Sequence, residues 1–262
     1  MERVLELYGR WWRRDLSQRY AGAGLGAVWL LLQPLSFIVV ITLVFNGFFK
    51  TKWPGGDGSA IDYAMNVFVG LAIHNFLADV LSRSPACVVS HGFLVTKVRF
   101  PLALLPLVVV GVAGVQLALS LSLVLVVSLA WGVLPVISAM SSWWALPVAL
   151  VPSLLTMVGV AWLLAALGTY LRDLGNLMPA VAAFLMFLMP VFYPPEFVPS
   201  EMAWLISGNP MAWSIESLRD LLFKGELPSL SGSIAYTAAG LVAALAGWWV
   251  FQRVSPGFAD VL

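Results

Sequence analysis

Arg10, Arg13, Arg14 and Arg19 lie close together in RWWRRDLSQRY, a stretch that passes through Gly22, Gly24 and Gly26 and runs directly into an apolar segment. A guanidinium is a planar fork that meets phosphate oxygens two at a time, so this cluster suits an anionic head group at a membrane surface. Wound as a helix at roughly 100° per residue, residues 2–20 place Val4, Leu5, Tyr8, Trp11, Trp12, Leu16 and Tyr20 within one half of the wheel. Arg3, Arg10, Arg13 and Arg14 occupy the other half. A helix of that kind lies along an interface, its aromatic side in the acyl boundary and its arginines among head groups. Asp15 and Arg19 fall inside the apolar arc, four residues apart, and two readings stand. They form an i,i+4 ion pair worth a few tenths of a kcal/mol, or Arg19, with Arg13 and Arg14, meets a phosphorylated lipid where the surface helix bends into the bilayer.

Other reactive chemistry is sparse. The chain has no GxxxxGK[S/T] loop, no HExxH and no GxSxG, the motifs that would announce nucleotide, zinc or serine-hydrolase chemistry. Its two histidines, His74 and His91, belong to different elements, so no metal site within one chain is expected. A single cysteine, Cys87, excludes an internal disulfide framework and a cysteine-built zinc site. Within the apolar segments the polar residues are Gln33, Asn46, Asn66, His74, Asn75, Asp79, Gln116 and Asn176. No ladder of carboxylates suggests a proton relay, and ionisable groups at such depth are functional candidates by default.

The elements that must position these residues are membrane helices. Of 262 residues 61% are hydrophobic and 10% charged, too little polar surface to cover a soluble globule. No cleavable leader is expected, because the first twenty residues are charged and amphipathic. A span needs about 20 apolar residues, and six such runs are predicted near 27–49, 62–82, 103–129, 144–169, 175–192 and 232–251. Alternating sides put ten of the 14 basic residues with the termini and four, Lys50, Lys52, Arg219 and Lys224, on the far side. The positive-inside rule then places both termini in the cytoplasm. Tryptophans gather at the predicted ends: Trp53, Trp131, Trp143, Trp144, Trp204 and Trp213 outside, Trp11, Trp12, Trp248 and Trp249 inside. The whole is expected to be a single all-α transmembrane domain, 1–262, with residues 1–22 as the interfacial helix.

Two loops stand out. Residues 83–101 mix Val88, Val89, Phe93, Leu94 and Val98 with Ser90, His91, Lys97 and Arg99. Apolar residues on a water-facing side either seek a protein partner or pack on neighbouring helix ends. Residues 190–231, with the expected gate region at 193–231, carry Pro190, Pro194, Pro195, Pro199, Pro210 and Pro228 between apolar pieces, Glu201–Ser207 and Met211–Phe223, each too short to span. In the second piece Ile215, Leu218, Leu222 and Phe223 share one face, with Glu216, Arg219 and Asp220 nearly opposite. Short helices of this sort are re-entrant or form a cap outside the bilayer; either way they lid the spans. Phe184, Phe187, Phe192, Tyr193, Trp162 and Tyr170 offer aromatic faces that line a sugar path by stacking or pack against lipid and helices.

Taken together, RRDLSQRYAGAGLGAVWLLLQPL, HGFLVTKVRFPLALLPL, GTYLRDLGNLMPAVAAFLMFLMPVFYPPEFVP and GNPMAWSIESLRDLLF resemble, in order and spacing, the transmembrane subunits of type-2 ABC exporters. The likeness is to the O-antigen and related polysaccharide exporters known as Wzm and to the teichoic acid exporters, and it runs over nearly the whole chain. It implies a homodimer in the bacterial inner membrane above Wzt-like ATP-binding subunits, with ATP and Mg bound by the partner and no cofactor by this chain. The cargo it implies is a polysaccharide on undecaprenyl diphosphate, with surrounding lipid and no nucleic acid. By the same resemblance, residues 88–97 form a coupling helix for the ATPase, with Ser90, His91, Phe93, Leu94, Val95 and Lys97 at the contact and Arg172 and Asp173 as a second one. Arg13, Arg14, Arg19 and Tyr20 stand at the entrance for the lipid diphosphate. Trp29, Trp162, Phe184, Phe187, Phe192 and Tyr193 become channel aromatics, and Pro199, Trp204, Pro210 and Trp213 belong to a periplasmic gate. A capsular polysaccharide, a teichoic acid or a small molecule are alternative cargoes. A membrane-embedded transferase on lipid-linked sugars is the alternative of another class, for which His74 and Asp79, both on one span, are few.

Overall fold

Ser59 accepts a hydrogen bond from the Asp62 amide at 3.1 Å and so starts the helix around which the others pack. In the computed structural model, which describes residues 2–20, 28–44, 53, 54, 56, 58–96, 100–132 and 143–262, that helix is α3, Ala60–Arg83. Its most apolar window is 83% buried, against 22% for the last long helix. The first is therefore the centre of the bundle, the second its rim.

Helix α1 is Glu2–Tyr20 and α2 is Trp29–Val44. After α3 come the short α4, Gly92–Thr96, then α5, Leu104–Ala130, α6, Leu146–Tyr170, and α7, Leu174–Leu188. Two small helices follow, α8, Ala203–Ser207, and α9, Pro210–Arg219. The last is α10, Leu230–Val254, continued by a 3-10 segment, Ser255–Asp260. Every predicted apolar run overlaps one of these helices over most of its length. Among the described residues four, ending respectively at Arg83, Ala130, Tyr170 and Asp260, are long and apolar enough to cross a membrane. Of the other two, α2 is described over 16 residues, and the ends of the first run lie outside the described residues; α7 is shorter than the sequence suggests. Helix α7 has 15 residues, about 22 Å at 1.5 Å per residue, where a span needs about 30 Å. It stops before Pro190, which has no amide N–H to donate and disfavours the helical conformation in the residue before it, and Met189 is extended at φ −104°, ψ 150°.

The tail of the expected gate region is also refined by the structure. The piece expected at Glu201–Ser207 is a 3-10 turn, Ser200–Met202, joined to α8. The piece expected at Met211–Phe223 is α9, capped by Asn209, whose side chain accepts from the Met211 amide at 2.9 Å, and it widens into a π turn at Asp220–Lys224.

Helices α6 and α10 form the tightest pair. Gly159, Gly240, Ala244 and Gly247 lie where the two backbones meet, and a Cβ on Gly159 would overlap the Ala243 carbonyl. Small residues let apolar helices approach closely enough to gain dispersion along their length. The other side of α10, with Leu241, Val242, Leu245 and Trp249, is bare, as a lipid-facing surface must be. Gly159→Leu is expected to force the pair apart at a cost of about 1–3 kcal/mol or somewhat more. It should lower the thermal midpoint of the detergent-solubilised protein; an unchanged midpoint would show the crossing to be loose.

Candidate functional site

At the α4 end, α1 is bolted to the bundle. Arg19 donates two hydrogen bonds to Asp79, at 2.8 and 2.9 Å. Arg83 pairs with Asp15 and stands 3.7 Å from Asp79. The order Arg19, Asp79, Arg83, Asp15 is thus a chain of alternating charges linking α1 to the end of α3. The i,i+4 pair between Asp15 and Arg19, one of the two readings of the sequence, is not formed; each has taken a partner on α3 instead, because Asp79 and Arg83 present a complementary pair at the same i,i+4 spacing. Gly111 completes the seat, since it leaves room on α5 for Tyr8 and Trp12. Arg13 and Arg14 remain exposed, with the Arg14 guanidinium 5.1 Å from the centre of the Trp11 ring. The side chain of Tyr20 lies outside the described residues.

The predicted coupling loop folds directly beneath. Trp11 meets the edge of His91 at 5.2 Å, and His91 Nδ1 lies 2.9 Å from the Cys87 carbonyl, which requires the proton on Nδ1. Ser90 Oγ donates to the Ala86 carbonyl at 2.8 Å. Phe93 is 49% exposed, Leu94 is buried, Val95 is half-buried, and Lys97 falls outside the described residues. Arg172 and Asp173 are exposed in the turn from α6 to α7. A cavity of about 290 Å³ lies between α1 and this loop, touching Arg14, Gln18, Arg83, Cys87 and His91. Burial pushes the Cys87 thiol up to about 12. A membrane-permeant maleimide is accordingly expected to leave Cys87 unmodified until the protein is denatured, as read by mass shift. Labelling of the native protein would mean that the loop opens.

A second cavity, about 280 Å³, sits between α2, α3 and α5 and is lined by Arg19, Phe37, Asn75, Asp79, Gln116 and Ser120. It sets polar groups beside an apolar helix.

The aromatic residues divide. Phe184 and Phe187 are 74% and 66% exposed on α7, and Trp29 is exposed on α2. Tyr193 donates to the Phe187 carbonyl at 3.0 Å, and Phe192 is half-buried. Trp162 stands apart: it packs edge-on to Trp248 at 4.9 Å and donates to the Ala103 carbonyl at 3.0 Å. At the α9 end Pro199 and Trp204 are exposed, Pro210 opens α9, and Trp213 stacks on Tyr236 at 5.2 Å. Tyr236 in turn donates to the Ser207 carbonyl, tying α8 to α10.

Reading the sequence as a wheel missed the strongest polar feature of this end. Arg219, expected on the polar face of its helix, is only 2% exposed. Its nitrogens donate to the carbonyls of Asn66 at 2.9 Å, Pro190 at 2.7 Å and Val191 at 2.9 Å, and to Glu216 at 2.6 Å. Its guanidinium lies 4.5 Å from the centre of the Trp53 ring. The carbonyls released where α7 breaks are therefore satisfied by α9. The available signal was the coincidence of one arginine with a helix broken at Pro190.

Comparison with known proteins places residues 7–223 within a match to the family described as ABC-2 type transporter. Two relatives from Klebsiella pneumoniae, each called O-antigen export system permease protein RfbA, are 24% and 22% identical over 249 residues. One from Myxococcus xanthus with the same name is 27% identical over 252 residues. Each alignment covers 95% of this chain and 92% of the relative.

Proposed function

Because this chain belongs to the ABC-2 type transporter family, we propose that it is the permease subunit of an ATP-driven exporter that moves an O-antigen-type polysaccharide on undecaprenyl diphosphate across the bacterial inner membrane. The observation that carries this reading is the end-to-end similarity to permeases named for O-antigen export. The chain contributes no ATPase motif; ATP and Mg belong to a Wzt-like partner subunit.

In this reading all six apolar helices lie in the bilayer, with α2 and α7 as walls of an entrance and path, and both termini are cytoplasmic. Two copies place the bare aromatic side of α7 along a shared channel. Arg13 and Arg14, which have no ion pair among the described residues, receive the lipid diphosphate, while Arg19, held by Asp79, borders the polar cavity beside Phe37 that admits its head. Helix α4 is the coupling helix, offering Phe93 to the partner, and Arg172 and Asp173 supply a second contact. Helices α8 and α9 form the periplasmic gate.

Co-expression with the neighbouring ATP-binding protein should yield a complex in equal ratio whose ATPase responds to lipid-linked glycan. Phe93→Asp should abolish the association without lowering the amount of folded permease. Failure of the unaltered chain to hold any ATP-binding subunit would overturn the transporter reading.

A further inference from the structure

The segment after α10 does not trail into solvent. Phe258 is fully buried, packed edge-on to Phe251 at 5.6 Å and tilted against Tyr170 at 6.0 Å. It shares one apolar cluster with Val88 and Leu94 of the coupling loop and Ala165 and Ala166 of α6. Tyr170 donates to the Val254 carbonyl at 3.3 Å and so fixes the turn that aims the segment back under the bundle. Its far end reaches α4: a Cβ built on Gly92 would stand 4.0 Å from the Leu262 Cβ. The cluster thus joins the coupling loop to the last turns of both members of the α6–α10 pair, whose small-residue crossing is too close for one to shift without the other.

We propose that residues 255–262 are a brace that makes α4 and the adjoining end of α10 one moving body, so that displacement of the coupling helix is delivered to the α6–α10 pair through Phe258. The proposal rests on the reading of residues 88–97 as the coupling segment. Phe258 is a positioning residue in it: it touches neither nucleotide nor cargo. The loop also meets α1 through His91 against Trp11 and α6 through Pro85 against Gly168; the brace adds to these a link from α4 itself to the end of α10.

The test is the Gly92→Cys/Leu262→Cys variant of the full chain, oxidised in isolated membranes. A Cβ separation near 4 Å is within the span a disulfide bridges, and the buried Cys87 stays out of the exchange. Rapid cross-linking is expected, read as a reductant-sensitive mobility shift, and it needs no partner. Failure to cross-link would overturn the brace while leaving the co-purification result intact. In the complex with the ATP-binding subunit, the oxidised and reduced forms of this variant are expected to show the same glycan-stimulated ATPase. Loss on oxidation with recovery on reduction would show that the two segments separate during turnover, and the brace would fall. Phe258→Ala, in a complex that still assembles, is expected to lose most of the glycan stimulation while unstimulated hydrolysis persists, and Phe258→Leu to regain it. Equal loss of both rates would mark Phe258 as a packing residue only.

Discussion

Replacing Arg219 with methionine is expected to cost on the order of 3–5 kcal/mol, because it strips a buried charged partner from several acceptors at once. The Asn66 carbonyl, inside α3, keeps its helical bond. The Pro190 and Val191 carbonyls do not have that recourse: they lie just past the end of α7, and Arg219 is what reaches them. Removal also leaves Glu216, itself 26% exposed, without its cation. Methionine fills comparable volume, so the loss reads as polar and not as a cavity. Gly70 shows how tightly the joint is built, since a Cβ there would stand 2.9 Å from the Val191 Cα and 3.0 Å from Arg219 Nη2.

Arg219→Lys provides the calibration. It retains charge but offers one nitrogen where Arg219 uses three, at carbonyls on two separate segments, and should fall between the parent and Arg219→Met. Glu216→Gln should cost least, because Arg219 keeps its three carbonyl acceptors. Thermal midpoints of the solubilised protein, read by size exclusion after heating, give the order. A midpoint for Arg219→Met equal to the parent would mean that α9 is not anchored to the break in α7. If the order holds, α9 moves with α3 and not independently of it, which leaves α8 and the exposed side of α7 as the parts able to shift at this end.

How much of this could be read from the chain alone varied by the range of the interaction. Each apolar run became a helix because its hydrophobicity is local and additive over a window. The early end of α7 was harder to see: hydrophobicity continues through Met189 and Val191, but the backbone restriction imposed by Pro190 overrides it. Asp15 and Arg19 appeared as neighbours on one helix, yet their partners Arg83 and Asp79 lie 68 and 60 residues away. A single-helix wheel has no means of ranking such partners. Arg219 was misplaced for a related reason: α9 is packed on most of its circumference, so Glu216 and Asp220 keep partial access to solvent while Arg219, next to them on the wheel, is turned into the joint. The segment after Arg253, VSPGFADVL, is too short to show a period, so its apolar residues did not by themselves place Phe258 in the interior. The exposure of Arg13 and Arg14 was legible in the sequence, because the polar face of a surface helix is what a wheel does reveal.

The second large effect is expected at Asp79. Asp79→Ala removes the acceptor of both Arg19 hydrogen bonds and the farther of the two carboxylates beside Arg83, with side chains 28% and 16% exposed for Arg19 and Asp79. Partial exposure screens the pair, so a coupling energy of about 1–2 kcal/mol is expected from the double-mutant cycle with Arg19→Ala, below what a fully buried charged pair would give. Reversing the pair, Arg19→Asp with Asp79→Arg, distinguishes two roles that the geometry superposes. If the pair serves only to hold α1 on α3, reversal should restore the thermal midpoint and glycan-stimulated hydrolysis together, although the repulsion between Arg83 and the guanidinium introduced one turn before it sets a ceiling on recovery. If Arg19 also meets the lipid diphosphate, reversal should restore the midpoint and leave stimulation low, because a carboxylate then borders the polar cavity where the head group arrives. In that case Asp79→Asn alone should strengthen the response to anionic lipid by releasing the Arg19 fork. The structure as it stands favours the holding role as primary: Asp79 already occupies both nitrogens of the fork, and an incoming phosphate must compete with a carboxylate that is covalently kept in place.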